Sequence, residues 1–257
     1  MTAYRSTLLL SLACAATLAA MAPAPAHAEG DGWRFWRSAA TVGSGQTATE
    51  SRALNDFQAI GVSGSINVKV RQAARESVEV RADDNLLPLL ETVIESSSSG
   101  RTLQVRWKRG QNVSTRTEAN VTVDVVKLSA VASNGSGNVV VDALTTPSLG
   151  LSISGSGNAA LNALQADDLS VRIAGSGDVK GDGKALRVKL SIAGSGDIAL
   201  TGLRADDVTV NIAGSGDAAV NAQKTLTVSI AGSGDVVYVG DAAVKASVAG
   251  SGSVSKK

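Results

Sequence analysis

From residue 128 onward, apolar and polar positions alternate in a frame that resets every 18 to 20 residues at a Gly-Ser-Gly tripeptide, beginning at Gly135, Gly155, Gly175, Gly194, Gly214, Gly232 and Gly250. Two residues before each tripeptide stand Ser133, Ile153, Ile173, Ile192, Ile212, Ile230 and Val248; four before stand Val131, Leu151, Val171, Leu190, Val210, Val228 and Ala246. Six before stand Ser129, Leu149, Leu169, Val188, Val208, Leu226 and Val244, and the positions between carry mostly Ser, Thr, Arg, Lys and Asn. Alternate side chains of a strand point to opposite faces, so this pattern predicts a strand with one buried face in every repeat. After the glycines a second short strand opens with Val139, Ala159, Val179, Ile198, Ala218, Val236 and Val254. The tripeptide is then a corner, where glycine allows both unusual backbone angles and close approach of neighbouring chains.

A unit of about 20 residues cannot bury a core by itself. Three or four aliphatic side chains per coil contribute about 5–10 kcal/mol, which is less than the entropy lost in ordering the coil. The repeats over residues 132–257 therefore predict a parallel β-solenoid, in which stacked coils share three aliphatic columns. The last repeat reads as a polar cap: Ala246 shrinks the column, Ser253 replaces an acidic residue, and Ser255-Lys256-Lys257 brings charge.

Upstream, residues 53–131 are strand-like but irregular, and are expected to cap the N-terminal end of the stack. Ser65-Ile66-Asn67-Val68-Lys69-Val70, Ser77-Val78-Glu79-Val80-Arg81, Thr102-Leu103-Gln104-Val105-Arg106-Trp107 and Asn120-Val121-Thr122-Val123-Asp124-Val125 each alternate. Leu86, Leu87, Leu89 and Leu90 around Pro88 predict one helical turn or a loop that plugs the core. Arg101, Arg106, Lys108, Arg109 and Arg116 form a basic strip, read as a solvated edge that discourages strand pairing, with a polyanion site as the alternative. Residues 29–52 are Ser/Thr/Gly/Ala-rich after Trp33-Arg34-Phe35-Trp36 and read as a flexible linker. The aromatic segment reads either as a tail folded over an open solenoid end or as a lipid-surface or partner anchor.

The first 28 residues read as a removable signal peptide: Arg5, an apolar run over residues 8–20, and the small-x-small site Ala26-His27-Ala28. Its removal takes away Cys14 and His27, the only cysteine and the only histidine. That excludes thiolate or imidazole nucleophiles, Ser-His-Asp triads, His/Cys zinc sites and disulfides from the exported protein. Removing Arg5 from the 24 basic residues leaves 23 against 23 acidic ones, so nucleic acid is not an expected partner. No later segment has the apolar run needed for a transmembrane helix. Gly175-Ser176-Gly177 with Gly181 imitates a dinucleotide-binding pattern, but it lies in a β-repeat with no helix after it.

Directly after the tripeptides stand Asn138, Asn158, Asp178, Asp197, Asp217 and Asp235. At the strand spacing of about 4.8 Å the four carboxylates repel by roughly 0.9 kcal/mol per adjacent pair in water and about 3.5 at an effective dielectric of 20. Such a column must be solvated, hydrogen-bonded to nearby backbone N–H groups, or neutralised by a cation. Asn in the first two repeats favours hydrogen bonding; calcium at Asp178, Asp197, Asp217 and Asp235 is the alternative.

The leader, the opening Phe57-Gln58-Ala59-Ile60-Gly61-Val62-Ser63-Gly64-Ser65-Ile66-Asn67-Val68, the Asn85-Leu86-Leu87 segment and the repeated Ser-Gly-Ser-Gly-Asn/Asp turns together resemble the head GIN domain family of auto-transporter adhesins. The likeness covers residue 53 to the end. It implies a right-handed parallel β-helix and a bacterial envelope setting. The chain stops within its own repeat rather than in a membrane barrel, so the expected route is Sec-type export to the periplasm or release at the surface. The expected function is a non-enzymatic adhesin-like binding or scaffolding module for an envelope glycan or protein. A carbohydrate-active lyase or hydrolase using repeat carboxylates is the alternative.

Overall fold

The computed structural model describes residues 40–97 and 100–257. The leader, the Trp33-Arg34-Phe35-Trp36 segment and the remaining residues up to 39, on which the signal-peptide and aromatic-anchor expectations fall, lie outside the described residues. Among the described residues the fold is all-β, with one 3-10 turn at Leu87–Leu89.

The repeats form a parallel solenoid built from β10 (Ala130–Gly135), β11 (Val139–Asp142), β12 (Thr145–Gly155), β13 (Ala159–Gly175), β14 (Val179–Gly194), β15 (Ile198–Gly214), β16 (Ala218–Gly232), β17 (Val236–Val239), β18 (Ala243–Gly250) and β19 (Val254–Lys256). Each pairs in parallel with its counterpart one coil on, and the tripeptides are the register marks: Gly155 opposite Gly175, Gly175 opposite Gly194, Gly194 opposite Gly214. All three predicted columns are buried from Leu149 to Ile230, joined by second-strand residues such as Leu161, Val179, Ile198 and Val220. The alternation in the sequence thus corresponds to an alternation of inward and outward side chains.

The glycines answer to coil stacking. A Cβ on Gly177 would sink into the carbonyl of Gly157, and one on Gly196 into that of Gly177. Coils touch backbone to backbone at this corner, where the N–H of Ser176 donates to the Gly155 carbonyl at 2.9 Å and that of Ser195 to Gly175 at 2.9 Å.

The irregular region supplies β1 (Thr41–Val42), β2 (Thr47–Arg52), β3 (Ala59–Gly64), β4 (Ile66–Gln72), β5 (Ser77–Asp83), β6 (Leu90–Ser97), β7 (Gly100–Trp107), β8 (Val113–Ser114) and β9 (Ala119–Val125). Chain order and layer order part company here. β3 and β4 pair in parallel with β10 and β11, so they form a coil directly beneath the first full repeat. β7 and β9 then pair in parallel with the far sides of β3 and β4 as a further layer. Antiparallel pairings of β2 with β5, β5 with β9, and β6 with β7 finish the front end. The Leu-rich stretch makes the helical turn and buries Leu86, Leu87 and Leu90 beneath it.

Two expectations need correction. Residues 41–52, expected within a flexible linker, hold β1 and β2; Arg52 ties β2 to the helical turn through the carbonyls of Leu90 at 2.6 Å and Leu87 at 3.0 Å. Backbone pairing with β5 and this side-chain clamp order the stretch without an apolar face. The final coil is not a polar cap: Val244 and Val248 are 40 % and 41 % exposed, because a neighbouring coil covers the column from one side only.

Candidate functional site

The residue after each corner builds a ladder that runs the length of the stack. The side-chain Oδ1 of each rung accepts the backbone N–H of the equivalent residue in the next coil: Asn67 from Asn138 at 3.0 Å, Asn138 from Asn158 at 3.1 Å, and Asn158 from Asp178 at 2.9 Å. Asp178 accepts from Asp197 at 3.0 Å, Asp197 from Asp217 at 2.8 Å, Asp217 from Asp235 at 2.7 Å, and Asp235 from Ser253 at 2.7 Å. A strand that turns a corner leaves an N–H without a ladder carbonyl, and an Asx oxygen at this position supplies the acceptor. Asn and Asp serve equally because only Oδ1 is used.

The four candidate carboxylates Asp178, Asp197, Asp217 and Asp235 are brought together as one exposed column. The Oδ2 atoms of Asp178, Asp197 and Asp217 have no hydrogen-bond partner among the described residues. Among those residues no three carboxylate, imidazole or thiol groups converge on a metal position. Asn67 is the rung that sequence reasoning missed. Its signal was present: Gly64-Ser65-Ile66-Asn67 is the repeat corner with one substitution, and Gly64 pairs with Gly135 in register.

Beside the ladder lies a groove of about 660 Å³, rimmed by Asn138, Asn158, Asn162, Asp178, Asp197 and Lys180 over a floor of small aliphatic side chains including Val140, Ala160 and Ala199. A second groove, of about 610 Å³, follows the opposite turn past Thr146, Gln165, Lys184, Leu186, Arg204 and Asp206. Its banks carry inter-coil ion pairs. Asp168 accepts from both Nε and Nη2 of Arg187 at 2.6 Å, and these hydrogen bonds hold its carboxyl below its ordinary value. Lys224 meets Asp206 at 2.8 Å. Exposed pairs of this kind are screened by solvent and contribute little, so they align coils more than they stabilise them.

At the front end Asp83 is fully buried and was not singled out in the sequence. Burial pushes its carboxyl up, but N–H groups of Arg116 at 3.0 Å, Thr117 at 3.2 Å and Gly45 at 2.8 Å outweigh that and lower it. It is an anchor for two loops. The basic strip is partly neutralised: Arg106 bonds Glu95 at 2.8 Å and Glu91 at 3.3 Å, and Arg101 meets Asp56 at 3.2 Å. The hydrogen bond to Glu95 is the main reason the Arg106 guanidinium is held above its ordinary value.

Among the described residues no helix is long and apolar enough to cross a membrane. The fold is shared with solved bacterial structures. One from Bacteroides fragilis, described as a putative adhesin, superposes with a TM-score of 0.79 at 24% identity, covering 84% of this chain and all of that one. A putative adhesin from Parabacteroides distasonis gives 0.67 at 29% identity over 84% of this chain and 99% of its own. A putative lipid binding protein from the same species gives 0.69 at 26% identity, over 84% and 99% of the two chains. No protein with a curated description matches the chain. The family model described as "Putative auto-transporter adhesin, head GIN domain" matches residues 56–242, from the strand that carries Ile60 and Val62 to the penultimate coil, and the chain belongs to that family.

Proposed function

We propose that this protein is a non-enzymatic binding or scaffolding module of the bacterial cell envelope, exported by its leader and presenting the ladder edge of its solenoid to an envelope glycan or protein. The observation that supports this reading is the groove beside the ladder, where small apolar side chains alternate with amides and carboxylates at a strand spacing of about 4.8 Å. A rigid, periodic and mixed surface of this kind suits an extended polymer whose own groups repeat. Acid–base catalysis, by contrast, needs two groups placed in different environments. Asp178, Asp197 and Asp217 each use the same atom on the same kind of partner. Membership in an adhesin-named family points the same way.

The test is co-sedimentation of the protein with purified envelope polysaccharide, compared with Ala199→Trp. Ala199 is exposed and lines the groove, so a tryptophan there fills it without entering the core. The expected result is retention of the parent protein and loss of retention in the variant at unchanged Tm. Undiminished retention with the groove filled would sink the proposal. Lipid vesicles serve as the comparison, prompted by the lipid binding description of one structural neighbour; binding to vesicles and not to polysaccharide overturns it too.

A further inference from the structure

A different concavity lies on the outer face of the front end, away from the ladder. It has a volume of about 550 Å³ and is lined by Ser63, Glu95, Gln104, Arg106, Trp107 and Arg109 beside Gly64. Trp107 is the only tryptophan among the described residues and is half-buried, packed on the core with part of the indole facing the cleft. Two glycines of β3 let flat groups rest on that strand. A Cβ at Gly61 would overlap the amide of Gln104, and one at Gly64, where φ is +93°, would press on Trp107 at 3.3 Å from Cδ1.

The polar groups divide into fixed and free. Arg106 is fixed by Glu91 and Glu95. The Gln104 amide, the Trp107 Nε1–H and the exposed Arg109 guanidinium have no hydrogen-bond partner among the described residues. Unused donors and acceptors that converge beside an aromatic ring, in a cavity within the usual range of about 300–1,000 Å³, are the ingredients of a small-ligand site.

The chemistry selects among ligands. β7 is paired along its length with β6 and over Thr102–Val105 with β3, so only Arg106 and Trp107 leave an open edge, too short for a peptide to add a strand. Glu91 and Glu95 offset the charge of Arg106, which leaves Arg109 as the one unpaired cation among the described residues of the lining, enough for a single carboxylate but not for a polyphosphate backbone. A sugar ring has an apolar C–H face for an indole and hydroxyls that both donate and accept, which Gln104, Glu95 and Arg106 complement. Arg109 adds a free cation at the rim, where a carboxylate gains a charge-assisted pair. We propose that this cleft binds one acidic saccharide residue, a hexuronate unit of a longer glycan. The site is separate from the ladder groove.

The experiment titrates the ¹⁵N-labelled protein with a galacturonate trisaccharide and with its methyl ester. The indole N–H resonance of Trp107, assigned by its loss in Trp107→Phe, is followed throughout. The acid shifts it saturably and binds about tenfold more tightly than the ester, the difference expected of one charged hydrogen bond. Arg109→Ala removes the preference for the acid, and Gln104→Ala weakens both ligands by about tenfold. Neither variant removes a hydrogen bond of the fold; Arg109→Ala leaves Tm unchanged, and Gln104→Ala, which uncovers Gly61, lowers it only slightly. Four outcomes overturn the proposal: no saturable shift with either sugar, an acid preference that survives Arg109→Ala, equal affinity for a Glu-rich peptide, or loss of the shift in Ala199→Trp. The last variant blocks only the ladder groove, so the two sites succeed or fail independently.

Discussion

Asp197 illustrates what one side chain contributes to the ladder. Its Oδ1 accepts the N–H of Asp217 at 2.8 Å, and its own N–H donates to Asp178 at 3.0 Å. Asp197→Asn keeps the acceptor and removes repulsion with its neighbours, so stability in urea should stay within about 0.5 kcal/mol of the parent or rise slightly. Asp197→Ala leaves the Asp217 N–H without its acceptor and should cost about 1–2 kcal/mol. Equal losses in both variants would show that charge, and not the hydrogen bond, is what the position supplies. Asp83 predicts an acid-sensitive front end. Its folded carboxyl is lowered, so its contribution is fully present above the ordinary carboxylate value near 3.9 and is lost as pH falls through the lower folded value. Urea melts from pH 6 downward should show this loss in the parent protein and a flatter profile in Asp83→Asn. The column itself was legible in the sequence, along with its need for compensation. That the compensating bond crosses to the next coil was not, since a side chain's partner 18 to 20 residues away depends on the stacking register.

At the scale of elements, the corner glycines determine how closely coils approach. Gly196→Ala sets a methyl group against the Gly177 backbone, 3.0 Å from Ile173 Cγ2, where neither neighbour is a flexible side-chain end. The expected cost is about 2–4 kcal/mol. Ser195→Ala, one residue earlier and exposed, should change stability by about 0.5 kcal/mol or less. A denaturation series with similar midpoints for both variants would contradict backbone contact at the corner. The strands that alternate, β4, β5, β7 and β9 and those of the repeats, were readable because each buries one face. β2 was not readable. Thr47–Arg52 is largely exposed and carries no apolar stripe, so its order comes from pairing with β5 and from Arg52 rather than from its own pattern.

For the whole molecule, equivalent coils imply that one can be removed in register. Deletion of residues 178–196 joins Gly177 to Asp197, so that Asn158 would accept the Asp197 N–H and every column would close up by one layer. The shortened protein should fold to a β-rich circular dichroism spectrum with a single cooperative transition at lower Tm, because nearest-neighbour interfaces carry most of the stability. Loss of cooperative unfolding would mean that the coils are not interchangeable. The periodic half was determined by its sequence alone: the pattern of aliphatic side chains and glycines repeats at the length of a coil, and every contact it specifies lies one repeat away. The front end was decided only in three dimensions. There β3 and β4 are separated from β10 and β11 by five further strands, yet pair with them, while β7 and β9 take the outer side. Local alternation states which face of a strand is buried but not which neighbour covers it, and that choice belongs to the packing of the assembled core.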